Sequence, residues 1–215
     1  IFLPYYFFYI MKDLLEMKKL RDGCPMMVAK IPSQIMREID EWVRECKKIK
    51  NHPLAELRAH QNYGYLYNPE SIAYNAYQCS VPQNLVDSSF WLAWVLRLSD
   101  KYWGAVKATK NDFTGDRSYR LRGYPGHYDG YDLWTNFAYK GNSNPMHTHA
   151  GRLSGVIYYK NHGHPTMFPQ YDCSYEGLDG TMVMFPNMVE HGVEEQTVNK
   201  ERITLAFNIV GDVPY

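Results

Sequence analysis

The 215-residue chain has no excess charge, no paired-cysteine motif and no apolar run long enough to cross a membrane. Its 23 basic and 23 acidic side chains cancel, so nothing in the balance of charge favours a nucleic-acid or anionic-membrane partner. The 4 cysteines lie far apart without a C-x-x-C pair, which disfavours a zinc knuckle or a disulfide scaffold and favours free thiols in a reducing cytosol. These absences point to an ordinary globular protein.

The conspicuously apolar segment is "IFLPYYFFYI", residues 1–10. A bilayer crossing needs about 20 residues, and Pro4 interrupts this shorter run. No basic region precedes the segment and no small-residue cleavage site follows it, which disfavours a signal peptide. We expect an edge strand or a packing arm that could serve as a dimer contact. Whether Ile1 is the native start is left open.

The first half of the chain predicts helices, and the second half predicts short strands. Helical spacing of apolar residues runs through 11–22, 32–50 and 84–110. From about residue 117, short runs rich in β-branched and aromatic residues alternate with Gly, Pro, Asn and Asp, as in an antiparallel sandwich or barrel. We therefore predict an α+β protein of one domain, 1–215, with a mainly helical part at 1–115 and a β core at 116–212.

Two histidines one residue apart are the first candidates for a functional site. His147 and His149 lie in "SNPMHTHAGRLSGVIYYKN", and residues i and i+2 of an extended segment share one face. His191, in "FPNMVEHGV", is a candidate third ligand, since neutral imidazoles suit iron, zinc, copper and nickel. The alternative is that these are ordinary surface or hydrogen-bonded histidines, of which the chain has 8 in all.

Arg202 is the second candidate, at the start of the apolar strand "RITLAFNI". If the face that it shares with Thr204 is the interior, a guanidinium enters an otherwise apolar barrel. Burying it alone would cost several kcal/mol, and no acidic residue on the predicted core strands is placed to supply a partner. A carboxylate ligand would match its planar fork. The alternative is a surface arginine.

The pattern "HTH…RLSGVIYY…GTMVMFP…EHGV…ERITLAFN" resembles the double-stranded β-helix oxygenases that depend on iron(II) and 2-oxoglutarate. The resemblance covers roughly residues 131–210. It is greatest to small phage and bacterial members, and the pattern is also similar to the prolyl hydroxylase branch. It implies a jelly-roll or cupin-like β-helix packed against the N-terminal helices.

The resemblance also implies roles for particular residues. His147, His149 and His191 would hold Fe(II), and Arg202 would bind the far carboxylate of 2-oxoglutarate. Thr204 stands at the hydroxyl position of the family's R-x-S motif. Two further co-substrate residues are implied: Tyr159, from the strand after the histidine pair, and Tyr139, from a Y-x-x-G lead-in whose spacing here is one residue short.

One position departs from the family pattern. Where the family has an aspartate in H-x-D, this chain has His149, which leaves the iron one unit more positive. Three-histidine iron sites occur among cupin dioxygenases, so two alternatives stay open. One is a three-histidine dioxygenase that does not use 2-oxoglutarate, which an Arg202 facing solvent would favour. The other is a non-catalytic metal-binding β-sandwich, which a fourth ligand such as His162 or His164 would favour.

The expected function is hydroxylation of an unidentified substrate with release of succinate and CO₂. The substrate would be a small molecule or a peptidyl group, because variable loops rather than the shared motifs read it. The loop 115–130 has the Gly and Tyr content of a mobile lid. We expect neither a nucleic-acid nor a membrane partner, and a location in the cytoplasm of a bacterial or virus-infected cell.

Overall fold

The computed structural model describes residues 15–19, 25–50, 77–108, 131–149 and 151–209. Among the described residues of the first half there are three α-helices: α1 (Ser33–Lys50), α2 (Gln83–Asp87) and α3 (Trp91–Ala108). The strands are β1 (Leu15–Lys19), β2 (Pro25–Lys30), β3 (Tyr77–Ser80), β4 (Tyr131–Ala138), β5 (Asn144–His147), β6 (Leu153–Lys160), β7 (Thr166–Phe168), β8 (Cys173–Tyr175), β9 (Thr181–Pro186), β10 (His191–Val193) and β11 (Arg202–Ile209).

The strands form two antiparallel sheets. The major sheet has seven strands in the order β1-β2-β9-β6-β11-β4-β3, and the minor sheet has four in the order β5-β10-β7-β8. Apolar side chains of the two sheets, among them Val156, Phe168 and Phe185, form one buried cluster between them. This is the predicted double-stranded β-helix, or jelly roll, and the α+β class is confirmed.

Helices α1 and α3 cover the outer face of the major sheet. The predicted helix at 32–50 is confirmed as α1, and its apolar stripe is buried: Ile35, Ile39, Trp42, Val43 and Cys46. The Trp91 ring at the start of α3 contacts the rings of Trp42 and Phe207, with centroids 5.8 Å and 5.4 Å away. Burial of such aromatic surface is the main stabilising contribution of this layer.

A carboxylate of α1 also accepts hydrogen bonds from backbone N–H groups at the start of α3. The Glu38 carboxylate accepts hydrogen bonds from the backbone N–H groups of Phe90 and Trp91, at 3.0 Å and 3.2 Å. The first turn of α3 contains no acidic residue of its own. Because unpaired N–H groups at a helix start are costly when buried, this contact fixes how the two helices meet.

Strand β11 divides the helical layer from the interior of the jelly roll. Ile203, Leu205 and Phe207 belong to the core shared with the helices. The alternate residues Arg202 and Thr204 face the other way and line a cavity between the sheets. The two-residue period of a strand thus places the apolar residues on one side and the polar residues on the other.

The first half of the chain contains more strand than predicted. The segment 11–22, predicted as a helix, contains strand β1, which pairs with β2 at the edge of the major sheet. Strand β3, also from the part predicted to be mainly helical, pairs with β4 at the opposite edge. Backbone pairing with a neighbouring strand outweighs the weak helical periodicity of a short segment.

The predicted helix at 84–110 is interrupted. It divides into α2 and α3 around Ser88–Phe90, and the Phe90 side chain is 42% exposed, although its apolar type and helical spacing would suit a buried position. The fully buried Trp91 takes its place. Neither long helix of the described part contains the unbroken apolar stretch that a bilayer crossing requires. The apolar arm at 1–10 and the expected lid at 115–130 lie outside the described residues.

Candidate metal centre and its cavity

Pairing of the minor sheet brings the three predicted histidines together. His147 ends β5, His191 begins β10, and the two are direct partners across these antiparallel strands. His149 follows two residues after His147, on the same side of the extended chain. One nitrogen from each imidazole lies within 4.8 Å of the others. Three separate sequence positions therefore form a single group of potential metal ligands.

Hydrogen bonds orient two of these rings. The Nδ1 atoms of His147 and His191 lie 2.7 Å and 3.0 Å from the carbonyl oxygens of Pro145 and Val189. A carbonyl only accepts, so each Nδ1 carries the proton and each Nε2 keeps its lone pair. This is the usual way in which a second hydrogen bond fixes the tautomer of a metal-binding histidine.

The backbone of His149 is held on both sides. Its N–H donates to the Asn187 carbonyl at 2.9 Å, and the Asn187 side-chain amide donates to the His149 carbonyl at 2.6 Å. The Nε2 atom of His149 lies 3.1 Å from Nε2 of His147. Two imidazole nitrogens directed at one another need a proton or a cation between them, and the three-ring arrangement suits a cation.

The three rings are held in the neutral form that binds metals. Burial lowers the pKa of His147, burial and the neighbouring histidines lower the pKa of His149 to about 3, and burial and His147 lower that of His191 to about 4. At neutral pH all three imidazoles are therefore uncharged. Metal binding does not have to displace a proton from them.

No fourth ligand joins the group among the described residues. His162 and His164, the candidates for a closed structural site, instead face backbone carbonyls of Glu201 and Glu194 at 3.1 Å and 3.0 Å. Structural zinc sites fill four positions with protein atoms, whereas catalytic sites leave positions open. The geometry is that of an open site.

The histidines share a cavity with Arg202 and Thr204. Arg202 is only 5% exposed. Its Nε donates to the Asn161 side-chain oxygen at 2.7 Å, while its Nη2 is buried without a hydrogen-bond partner. Burial lowers the pKa of the guanidinium to about 10, which leaves it charged at neutral pH. Within the described chain, no carboxylate neutralises it.

Thr204 lies two residues further along the same face of β11. Its hydroxyl oxygen accepts a hydrogen bond from the Asn136 side-chain amide at 3.4 Å. Asn136 is itself held by donors from Gln78 at 2.9 Å and Trp134 at 3.1 Å. Because the Thr204 oxygen is already used as an acceptor, its proton is available for a ligand beside Arg202.

Tyr159, predicted to bind the co-substrate, faces away from the cavity. It packs against the helical core, and burial together with a hydrogen bond to Asp40 of α1 raises its pKa to about 12. Its neighbour Tyr158 is the cross-strand partner of Thr204. The Tyr158 hydroxyl bonds the hydroxyl of Thr166 at 2.9 Å, and Thr166 lines the cavity. Neighbouring residues of a strand point to opposite faces, so Tyr158 lies in the apolar cluster between the sheets and Tyr159 lies against the helices.

Tyr139, the other predicted co-substrate residue, is also outside the cavity. It is 43% exposed, and its hydroxyl contacts Glu201 and Lys50 at the outer end of the sheet. It follows Ala138, the last residue of β4 to line the cavity, so alternation directs it outward.

Two polar residues of the site were not predicted from the sequence. Asn161 orients Arg202, and Asn136 orients Thr204. The alternation along β4 predicts that Asn136 and Trp134 share a face, but only the pairing of β4 with β11 shows that this face lies beside Thr204. Nothing in the sequence marks Asn161, because it lies just beyond the end of β6.

Comparison with known proteins supports the fold. No family profile and no curated protein matches the sequence. Among solved structures, a protein of Shewanella oneidensis described as a candidate oxygenase is 9% identical, with a TM-score of 0.50 over 86% of this chain and 82% of its own. A likeness at this identity concerns the fold, and it agrees with the jelly roll described above.

Two prolyl hydroxylases are also similar. The enzyme from Pseudomonas putida is 14% identical, with a TM-score of 0.48 over 85% of this chain and 90% of its own. The viral collagen prolyl hydroxylase of Paramecium bursaria Chlorella virus-1, solved with 2-oxoglutarate, is 13% identical, with a TM-score of 0.45 over 84% and 93%.

Proposed function

We propose that the protein is an iron(II)- and 2-oxoglutarate-dependent oxygenase that hydroxylates its substrate and releases succinate and CO₂. The observation that supports this most directly is the buried Arg202, which lines the same cavity as the three histidines and has an unpartnered Nη2. A buried cation without a carboxylate is costly. An anionic ligand in the cavity would remove that cost.

The residues present fit both the metal and the co-substrate. Three neutral imidazoles with open positions suit Fe(II), and the fork of Arg202 together with the Thr204 hydroxyl suits the far carboxylate of 2-oxoglutarate. When bound, iron with 2-oxoglutarate supplies the activation of O₂ and the oxidation of a C–H bond. The three histidines would hold the iron.

The protein's own contribution is orientation and exclusion of water. Arg202 and Thr204 would fix one end of the co-substrate while the other end meets the metal. Their positions are set in turn by Asn161 and Asn136. Such pre-set dipoles do not have to reorganise during the reaction. Val156 and Ala206, on the cavity wall, would keep water away from the reacting carbon.

The donor set also favours one alternative, a three-histidine dioxygenase that does not use 2-oxoglutarate. That function has no need of a buried arginine facing the cavity, so the position of Arg202 supports the first proposal over it. A closed structural metal site is disfavoured because His162 and His164 are directed elsewhere.

We further propose a small-molecule or peptidyl substrate and a cytoplasmic location. Support for the location comes from the sequence: its 4 cysteines are widely spaced and form no C-x-x-C pair, as is usual for proteins of a reducing compartment.

The test is an anaerobic titration of the Fe(II)-loaded protein with 2-oxoglutarate. Chelation of Fe(II) by a 2-oxo acid produces a visible charge-transfer band, which we expect in the wild type. In Arg202→Ala the midpoint should rise by at least about tenfold, since a charge-assisted bidentate pair is lost. Arg37→Ala, which removes an exposed arginine from α1, is the matched control and should titrate like the wild type.

Either of two results would contradict the proposal. A wild-type protein that binds iron and shows no band would favour the dioxygenase without 2-oxoglutarate. A band of equal midpoint in Arg202→Ala would show that the arginine has another role.

A further inference from the structure

Three buried polar atoms without a hydrogen-bond partner lie on residues that line the cavity. They are Nη2 of Arg202, Oδ1 of Asn144 and Oε1 of Gln196. The first is a donor, and the other two are acceptors. Buried polar groups in folded proteins are nearly always paired. The unpaired atoms around this cavity therefore indicate which groups its ligand would offer: an acceptor for the unpaired donor, and donors for the two unpaired acceptors.

The Gln196 side-chain oxygen accepts no hydrogen bond from a donor of the described residues. Gln196 is 2% exposed, and its Nε2 donates to the carbonyls of Val198 at 3.1 Å and Lys200 at 2.5 Å. Both amide protons are thus used, and this fixes which end of the amide is oxygen. Two backbone bonds, to Asn142 and Gly141, immobilise the residue further. An acceptor fixed in this way is already organised for a ligand.

Asn144 supplies the second acceptor from the opposite strand. It begins β5, three residues before His147, and lies across from Val193 of β10. Gln196 follows β10 by three residues. The two amides are therefore carried by the same pair of strands that carries the metal ligands.

2-Oxoglutarate cannot satisfy these two oxygens. At neutral pH it is a dianion that offers only acceptors, so it complements Arg202 but not Asn144 or Gln196. The second molecule in the cavity must supply the donors. No Asp or Glu lines the cavity among the described residues, so a cationic group would lack a counter-charge.

We infer that Gln196 and Asn144 bind the substrate, and that the substrate presents to them a neutral group with N–H or O–H donors. This assignment rests on the proposed function, which gives Arg202 to the co-substrate. It excludes carboxylate and ammonium groups from this part of the site. Amides and hydroxylated compounds share the required chemistry.

The test compares probes that differ only in their donors. Benzamide offers two N–H donors, benzyl alcohol offers one O–H, and N,N-dimethylbenzamide offers none; benzylammonium adds a charge. Binding to Zn(II)-loaded protein in the presence of 2-oxoglutarate is followed by saturation-transfer NMR. We expect the Kd of benzamide to be lower than that of N,N-dimethylbenzamide by at least about tenfold. Benzylammonium should bind more weakly than benzamide.

The Kd of benzyl alcohol relative to that of benzamide shows whether the site prefers an O–H donor or an N–H donor.

Variants then locate the preference. Gln196→Met removes the acceptor at similar size, Asn144→Ala removes the other, and Gln170→Met removes an exposed glutamine outside the cavity. The preference for benzamide should fall to within about threefold in either cavity variant, because the bond that carries it is absent. It should persist in Gln170→Met. If Gln196→Met does not fold, the test rests on the comparison of probes in the wild type and on the Asn144→Ala variant, since Asn144 is only partly buried.

The two proposals fail separately. 2-Oxoglutarate binding is measured by calorimetry on the same samples. Binding of 2-oxoglutarate with equal affinity for benzamide and N,N-dimethylbenzamide would overturn the assignment of the two amides alone. A preference for benzamide that persists in both Gln196→Met and Asn144→Ala would overturn this assignment as well. A preference for benzamide that depends on Gln196, without any binding of 2-oxoglutarate, would support the amides and overturn the proposed co-substrate.

Discussion

At the scale of single residues, His149 is the substitution with the largest consequence for chemistry. It stands where the resembling family has an aspartate, and the structure turns its Nε2 to within 3.1 Å of that of His147. The side chain at position 149 can therefore bind a metal, although an imidazole is neutral and the aspartate of the family is anionic. The iron of this site would keep the full charge of the cation.

Variants of His149 test its role as a ligand. We expect His149→Ala to weaken Co(II) or Fe(II) binding by at least about tenfold, since one of three ligands is lost. His149→Asp should bind within about tenfold of the wild type, because a carboxylate is also a ligand of the facial triad. Anaerobic calorimetry measures both. Equal affinity in His149→Ala would remove this residue from the site.

Gly155 shows how closely the major sheet contacts the helical layer. A Cβ at this position would lie 2.2 Å from the Phe207 ring, and that ring is fully buried against Trp91. The ring has no space into which it could move. We expect Gly155→Ala to lower the free energy of unfolding by about 1–3 kcal/mol.

Urea unfolding measures this cost, and a double variant assigns it. Phe207→Leu is itself destabilising, but Gly155→Ala should cost less in that background, because the smaller side chain leaves room for the methyl group. An equal cost in both backgrounds would place the origin elsewhere.

At the scale of secondary structure, an ionic cluster joins the end of α1 to the start of β11, the strand that carries Arg202. Glu201 accepts from Lys47 at 2.6 Å and from Lys50 at 3.0 Å, and it also contacts the Tyr139 hydroxyl. Burial raises the pKa of the Glu201 carboxyl, but the bonds from Lys47, Tyr139 and Lys50 outweigh burial and lower it to about 2.

The sign of the pH dependence follows from that lowered pKa. An unfolded Glu201 would titrate near its ordinary value of 4.5, so the folded state prefers the ionised form. The stabilisation is fully present above the unfolded pKa and is lost as pH falls towards 2. The melting temperature of Glu201→Gln should therefore lie below that of the wild type at neutral pH, and the difference should shrink between about pH 5 and 2. A difference independent of pH would argue against the ionic origin.

At the scale of the whole molecule, the metal site and the folding core are separate. The helices and the outer face of the major sheet share one apolar core, whereas His147 and His191 lie on strands β5 and β10 of the minor sheet and His149 follows β5. The core does not contain the ligands. We therefore expect metal removal to leave the fold intact.

Chelation tests this separation. The far-UV spectrum should be unchanged by EDTA, and Co(II) at about 100 times its Kd should add about 2.7 kcal/mol to the free energy of unfolding through binding alone. Thermal melts with and without Co(II) measure the shift. Unfolding of the protein by EDTA would show that the metal is structural.

Much of the architecture was predictable from local patterns. The stripe of α1 and the alternation of β11 are periodic over several residues, so the sequence predicted which faces are buried. Strand β1 and the break before Trp91 were not predictable, because pairing with β2 and packing against Phe207 decide them. Tyr158 and Tyr159 are adjacent and identical in type, and only the register of β6 against β11 decides which of them faces the space between the sheets and which faces the helices.

What the sequence determined by itself is the chemistry that the chain carries: three histidines, one arginine on a polar strand face, and a resemblance that places them in one site. What the tertiary structure alone decided is which atoms remain unpaired. The pairing of β5 with β10 brings three imidazoles together, and the backbone contacts of the Gln196 amide nitrogen leave the Gln196 side-chain oxygen without a donor. Hydrogen-bond satisfaction depends on contacts between distant segments, so it follows from the fold and not from local sequence.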